Sequence, residues 1–446
     1  MKLLPTLLAV SLALGGMSGT YTIKPDGSGD FRTIYEAGTT LSDSGLSGDC
    51  VFEVYGDTLD ASLILSDVAG SGTWTTTFRP GPGEHPVLAG GVMGVFGTHR
   101  LKVEDLDLFD VGANMRGCDG FRISGCRLTS VHVGLVMEDG NFDSIVRNVL
   151  VTDEGAEDVI SAVACRGLIV ANNFISGTVS GSRSEGLVTI NGGGQNMVCF
   201  NTLRSMPLQV ASGAALLFDD LENGRADVRN NLVILAPPAE SNNACIGYYA
   251  VTAESLGADY NCYFVESLGY IGLTASGGPA PLFHDWTAWR ALGHDPHGLN
   301  ADPLVFGPEN LHLREGSPCI GAGVPIVGIT TDIDGDPRDP AHPDIGADEF
   351  TGGGVEEHPT PDASRITPGM TIVRNVLYLT PSPFPLPSGE GQEVRGRSEL
   401  LEITGRKVMD LVPGPNDVRH LSPGVYFVRA ASNDGRMVNS KIVVTR

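Results

Sequence analysis

Between residues 101 and 264, apolar and polar positions recur on one template: an apolar residue, two variable residues, a small polar residue, then an alternating pair. The copies read VEDLDL from Val103, ISGCRL from Ile123, IVRNVL from Ile145 and VANNFI from Val170. They continue with VCFNTL from Val198, VRNNLV from Val228 and ADYNCY from Ala258. Successive starts lie 20, 22, 25, 28, 30 and 30 residues apart. Similarity at such a period marks a solenoid, whose units bury their apolar faces only by stacking on one another.

The fourth template position selects the kind of solenoid. It holds Leu106 and Cys126, then Asn148, Asn173, Asn201, Asn231 and Asn261. Asparagine tolerates the left-handed backbone conformation, which predicts it at a corner. Its amide can also stack on the copy in the next coil as a ladder. The flanking Val, Ile, Leu and Phe favour strands, and helix-period patterns are nearly absent, so each unit is expected to be strand–turn–strand. A second apolar run recurs in the units: GLVME from Gly134, DVISA from Asp158, GLVTI from Gly186, ALLFDD from Ala215 and ACIGYY from Ala244. The pattern predicts an all-β chain, a right-handed parallel β-helix followed by a small C-terminal β-sandwich. At about 4.8 Å per coil, the seven copies span roughly 30 Å. Loops lengthen from the middle onward, and longer loops on one flank are where binding sites tend to be built.

Ahead of the repeats, Lys2 and the apolar run LLPTLLAVSLAL lead to Gly16-Met17-Ser18. This reads as a secretory signal peptide over residues 1–18, too short for a stable bilayer span. Residues 19–98 are expected to form an N-terminal cap, with a helix from Thr33 to Leu41, and the first irregular coils. The regular helix and its closing segment are assigned to 99–350, a Gly/Pro-rich linker to 351–365, and the C-terminal sandwich to 366–446.

The 446 residues carry a formal net charge of −24, which argues against nucleic acid and has the wrong sign for an anionic lipid surface. No other stretch is long and apolar enough to cross a membrane as a helix. The eight cysteines form no CxxC pair, so a zinc site built from them is not expected; buried thiols and one or more disulfides both remain open.

Three segments resemble known families. GTYTI from Gly19 and VFEVYGDTLDA from Val51 resemble the start of secreted bacterial β-helix repeat proteins. DGSGDFRTIYEA from Asp26 is similar to the opening of pectin methylesterases, without that family's later catalytic motifs. From Trp286 onward, GHDPHGLNADP, SPCIGAG and DIDGDPRDPAHPDIGADE resemble the segment that closes many exported bacterial β-helices. ITGRKV from Ile403, LSPGVYFVR from Leu421 and the terminal KIVVTR resemble the C-terminal sorting domain of the type IX secretion system. These resemblances imply a β-helix rod exported through outer-membrane secretion machinery to the surface or medium. The stretch 388–397 lacks the strand that the sorting domain usually has there.

Candidate chemistry is sparse. Asp332, Asp334 and Asp336 have the alternating carboxylates that suit Ca²⁺, but no EF-hand glutamate follows. His284, His294 and His297 cluster in sequence with Asp285 and Asp295, although Pro296 keeps the HDPH pair off one helix face. Glu138-Asp139 and Asp219-Asp220 end apolar strands. Counted in coils, the two pairs lie three apart, about 14 Å, too far for the 5–9.5 Å that glycoside hydrolysis requires. Asn191, Tyr248 and Tyr249 are expected beside Asp219 and Asp220 as a polar-aromatic patch for a sugar. Arg183, Arg204 and Arg225 fall in loops of successive coils without a calcium cage beside them. The readings left open are a surface protein that binds glycans, a polysaccharide lyase or glycosidase on a polyuronate-like polymer, and a structural envelope protein.

Overall fold

The structure, a computed structural model, describes residues 15–351 except 131–133, 157, 180–185, 206–212, 222–224, 237–242, 250–254, 267–268, 276–280 and 309. Further on it describes 371–373, 376–379, 398–402, 406–411, 414–417, 421, 424–431 and 437–444. The chain divides into two compact units, Met1–Gly352 and Gly353–Arg446. The first is a parallel β-helix of three sheets, each of ten strands. In the second, the described strands form a five-stranded and a two-stranded sheet, compatible with a small β-sandwich. The stretch 388–397 lies outside the described residues.

All seven template copies begin in the first sheet, in register: Val103 pairs with Ile123, then Ile145, Val170, Val198, Val228 and Ala258. Each coil has three strands, not two. The template is split by a corner, so its last residues begin the second sheet, as in Val149–Ala156 and Thr202–Ser205. The apolar run that follows each copy forms the third sheet, as in Leu135–Glu138 and Gly213–Asp219. Within VEDLDL the first, fourth and sixth residues, Val103, Leu106 and Leu108, are buried, while Asp105 and Asp107 are exposed. The template is therefore one inward-facing track bent around a corner.

The corner residue is the third of the template, not the asparagine. Asp105, Arg147, Asn172, Phe200, Asn230 and Tyr260 have φ between 53° and 59°, and Gly125 has 67°. With the chain turned there, the next side chain points inward, and the asparagines meet. Each Nδ2 donates to the Oδ1 of the following coil: Asn148 to Asn173 at 3.0 Å, Asn173 to Asn201 at 2.9 Å, and Asn201 to Asn231 and Asn231 to Asn261 at 3.0 Å. It also donates to a first-sheet carbonyl of the preceding coil, as Asn201 does to Val170 at 2.8 Å. The Oδ1 of Asn173, Asn201, Asn231 and Asn261 each accepts a second bond from the preceding asparagine's backbone N–H, and that of Asn148 accepts from Cys126 N–H. Every amide is thus satisfied without water, the condition for burying it.

The coils that carry no template are no less regular. Leu46–Val54 pairs in register with Thr76–Pro80, which pairs with the first template strand, and Val87–Ala89 and Val92–Phe96 join the other sheets. Ahead of them Met17–Ile23 adds the outermost strand of the first sheet. The helix runs Ile34–Ser44. It is capped by the Thr33 hydroxyl, which accepts from Glu36 N–H, while Glu36 accepts from Arg32 N–H. Its apolar face, Ile34, Ala37 and Leu41, packs into the rod's core and shields that end from strand addition.

Asp295 ends the ladder at the other end. One carboxylate oxygen accepts from Asn261 Nδ2 at 2.8 Å, and the other from Tyr263 Oη and Trp289 Nε1, both at 3.0 Å. Residues 303–350 then fold back along the rod's flank instead of only closing its end. Corner side chains hold them there. Asn230 bonds both ways with the Val324 backbone, and Asn172 donates to Thr331 O. Arg338 donates to Asn172, pairs with Glu349 at 3.1 Å and lies 4.0 Å over the Phe200 ring.

Asn201→Ala removes five buried hydrogen bonds and should cost about 2–4 kcal/mol in a urea titration. Asn114→Ala, on an exposed strand position, should stay within about 0.5 kcal/mol in the same urea titration. Asp143 is buried, and its Oδ1 accepts from Phe121 N–H at 2.8 Å, as Asn196 does from Leu168 N–H two coils on. Burial pushes the Asp143 carboxyl up to about 7. The folded chain therefore binds this proton more tightly than the unfolded chain, and stability falls as pH rises from the usual carboxylate range to about 7. Asp143→Asn should raise the urea midpoint at pH 8, with the gain disappearing near pH 4.

Candidate functional site

The third sheet brings several of the predicted residues into one line. Its strands end in register at Phe96, Arg116, Glu138, Val163, Asn191, Asp219 and Tyr249. Strand alternation turns this line outward and the preceding residues inward. Asn191, Asp219 and Tyr249 are neighbours on consecutive coils, about 5 Å apart. Burial raises the Asp219 carboxyl above its ordinary range. Glu138 lies three coils from Asp219, as the coil count predicted. Arg116 reaches Glu138 at 3.4 Å and Asp139 at 3.9 Å, an exposed set that adds little stability.

The other members of the predicted patch have different roles. Asp139 and Asp220 are turn residues with φ of 54° and 45°, in the place that Gly117 and Gly192 take on other coils. Their position follows from the turn, since aspartate tolerates that conformation. Tyr248 points inward. It is buried between Phe218 and Thr274 in register and lies 6.1 Å from Trp289, so it faces the core and not a surface ligand. Arg204 pairs with Glu266 at 2.8 Å on the second sheet, Arg225 precedes a first-sheet strand, and Arg183 lies outside the described residues. Arg204 and Arg225 thus sit at the second and first sheets, away from Asp219 on the third.

The histidines near residue 290 have separate partners. His284 Nε2 lies 2.8 Å from Thr274 Oγ1, and His297 Nδ1 lies 2.9 Å from Asp259. His294 stacks on Trp289 at 4.3 Å, and its burial lowers the imidazole to about 4, so it is neutral. Trp289 needs the glycine opposite it, because a Cβ on Gly272 would strike the indole.

Asp332 is committed to the backbone. Its Oδ1 accepts from the N–H groups of Asp334, Gly335 and Asp336, and its Oδ2 from that of Glu349. Asp334 turns instead toward His312, whose Nε2 lies 3.0 Å away. The alternating carboxylates thus shape a turn rather than converge on one point. Arg116, His312 and Asp348 were not singled out in the sequence. Arg116 has a signal, since it precedes a turn glycine as Asn191 does; His312 and Asp348 are 36 residues apart and carry none.

Chemistry based on cysteine has no footing here. All eight thiols are buried and none is in a disulfide. Burial pushes Cys50, Cys126 and Cys199 up to about 12, far from a reactive thiolate. The chain matches no known protein-family model, and no curated protein is significantly similar to it in sequence. No helix among the described residues is long and apolar enough to cross a membrane.

The native chain at pH 8 should react only slowly with a thiol reagent, and the chain unfolded in guanidinium without reductant should titrate all eight cysteines. A count short by two or more would show a disulfide.

Proposed function

We propose that this chain is an exported surface rod that binds a polysaccharide along the outer edge of its third sheet. The observation that carries the reading is the outward line from Phe96 to Tyr249, with Asn191, Asp219 and Tyr249 on successive coils. Its six steps span roughly 29 Å. A linear polymer lying along the rod would meet a different side chain at each coil, with the polar and aromatic ones together at Asn191, Asp219 and Tyr249. The amide of Asn191 can bond sugar hydroxyls, and the Tyr249 ring can lie against a sugar face. Export rests on the N-terminal apolar run and on the resemblance of residues 403–446 to a sorting domain.

The carboxylates favour binding over hydrolysis. Glu138 and Asp219 are too widely separated to act as an acid/base pair, and Asp220 is a turn residue. The raised Asp219 carboxyl is the one feature that favours an enzyme, as a lone general acid.

The full chain should be titrated against a panel of acidic and neutral polysaccharides, with reducing ends and unsaturated-uronate absorbance followed in parallel. The expected result is retention of one polymer without product. Tyr249→Ala or Asn191→Ala should weaken it about tenfold, near 1.4 kcal/mol. Tyr248→Phe, inside the core, should leave it unchanged. Binding to no polymer by the folded chain would end the reading. Product release that Asp219→Asn abolishes would make the protein an enzyme.

A further inference from the structure

Three pieces of the closing segment converge on one point. His312 comes from the strand Asn310–Leu313, Asp334 from the turn that Asp332 shapes, and Asp348 from the residues just before Phe350. One ligand atom from each lies within 4.8 Å of the other two, which is the spread a single bound ion spans. We infer that His312, Asp334 and Asp348 form a site for a divalent first-row transition metal, which clips the folded-back segment into one piece.

The ligands are set for such an ion by groups outside the trio. The Asn310 side-chain oxygen accepts from the His312 backbone N–H at 3.2 Å and lies 2.6 Å from His312 Nδ1. Nδ1 therefore carries a proton, and Nε2 is directed at the carboxylates. An outer oxygen that orients a metal-ligating imidazole in this way is the usual arrangement. The Phe174 ring, 4.8 Å away and edge-on, fixes the plane of the imidazole.

Asp348 supplies the second argument. It is 6% exposed and makes no ion pair among the described residues. One of its oxygens accepts from Leu313 N–H at 2.8 Å; the other takes no hydrogen bond from a described residue. The His312 imidazole is the positive group that acts on this carboxylate, and a dication at the same point would answer Asp334 and Asp348 together. The side chains of His312 and Asp334 are 28% and 31% exposed, which leaves an ion a route in from solvent.

Donor chemistry narrows the ion. Ca²⁺ and Mg²⁺ favour all-oxygen sets, whereas one imidazole with two carboxylates suits Zn²⁺ and its neighbours. The site differs from the calcium reading of Asp332, Asp334 and Asp336, because only Asp334 belongs to both. It is also independent of the polysaccharide line, which lies on another sheet.

Zn²⁺ alone should be titrated into the full chain by calorimetry, with thermal unfolding followed at each concentration. One ion per chain should bind, and the unfolding temperature should climb with Zn²⁺ concentration as for a ligand of the folded state only. EDTA should reverse the rise, and Ca²⁺ or Mg²⁺ should not reproduce it. His312→Gln and Asp334→Asn should each weaken binding at least tenfold, while His297→Gln should not. No saturable binding, or unchanged binding in His312→Gln, would overturn the site. If the variants fail to fold, Co²⁺ on the unaltered chain decides: visible bands of a nitrogen–oxygen ligand set, removed by Zn²⁺, support it. Thiolate-to-cobalt bands would place the metal on cysteines and overturn it.

Discussion

A buried amide is tolerable only when all its hydrogen-bonding capacity is met, and this constraint governs the rod. Asn173, Asn201 and Asn231 each use both amide protons and both oxygen lone pairs on the coils above and below. No single coil can satisfy its own asparagine, so the ladder favours stacking in register and disfavours slippage. The apolar residues beside it, such as Val198 and Leu203, supply most of the burial energy but would accept many arrangements.

A ladder of donors and acceptors needs an end. After Asn261 no further amide follows, and Asp295 takes its place, accepting from Asn261 while its other oxygen accepts from Tyr263 and Trp289. Burial raises this carboxyl, and the four hydrogen bonds from these groups act against that shift. The opposite end is apolar: Cys126 still donates its backbone N–H to Asn148, and beyond it Leu106 fills the position with hydrocarbon. The HDPH stretch is therefore the ladder's terminus and the rod's cap, with His294 packed neutral against Trp289.

The corners do a second task. Because the third template residue takes the left-handed conformation, Asn172, Phe200 and Asn230 lie where the segment 303–350 docks. The described contacts of that segment fall on the first and second sheets, through Ile326 beside Ala171 and Phe200, and Ile333 beside Phe174. The third sheet is left to present its outward line. The fold thus separates a covered flank, which anchors the segment, from a flank on which the proposed polymer site lies.

The repeat, its in-register stacking and the asparagine ladder were legible in the chain itself, because inward positions must match from coil to coil and the match is written at a fixed spacing. The coil separation of Glu138 and Asp219 followed from the same count. What tertiary structure alone decided were matters of direction. Adjacent tyrosines at 248 and 249 look alike in sequence, yet strand alternation sends one into the core and the other outward. The template reads as one run until the left-handed corner splits it between two sheets. Early coils such as Thr76–Pro80 have no asparagine to announce them, and only pairing reveals their register. His312, Asp334 and Asp348 come together because the segment doubles back on itself, and no local spacing encodes a contact between residues that distant in the chain.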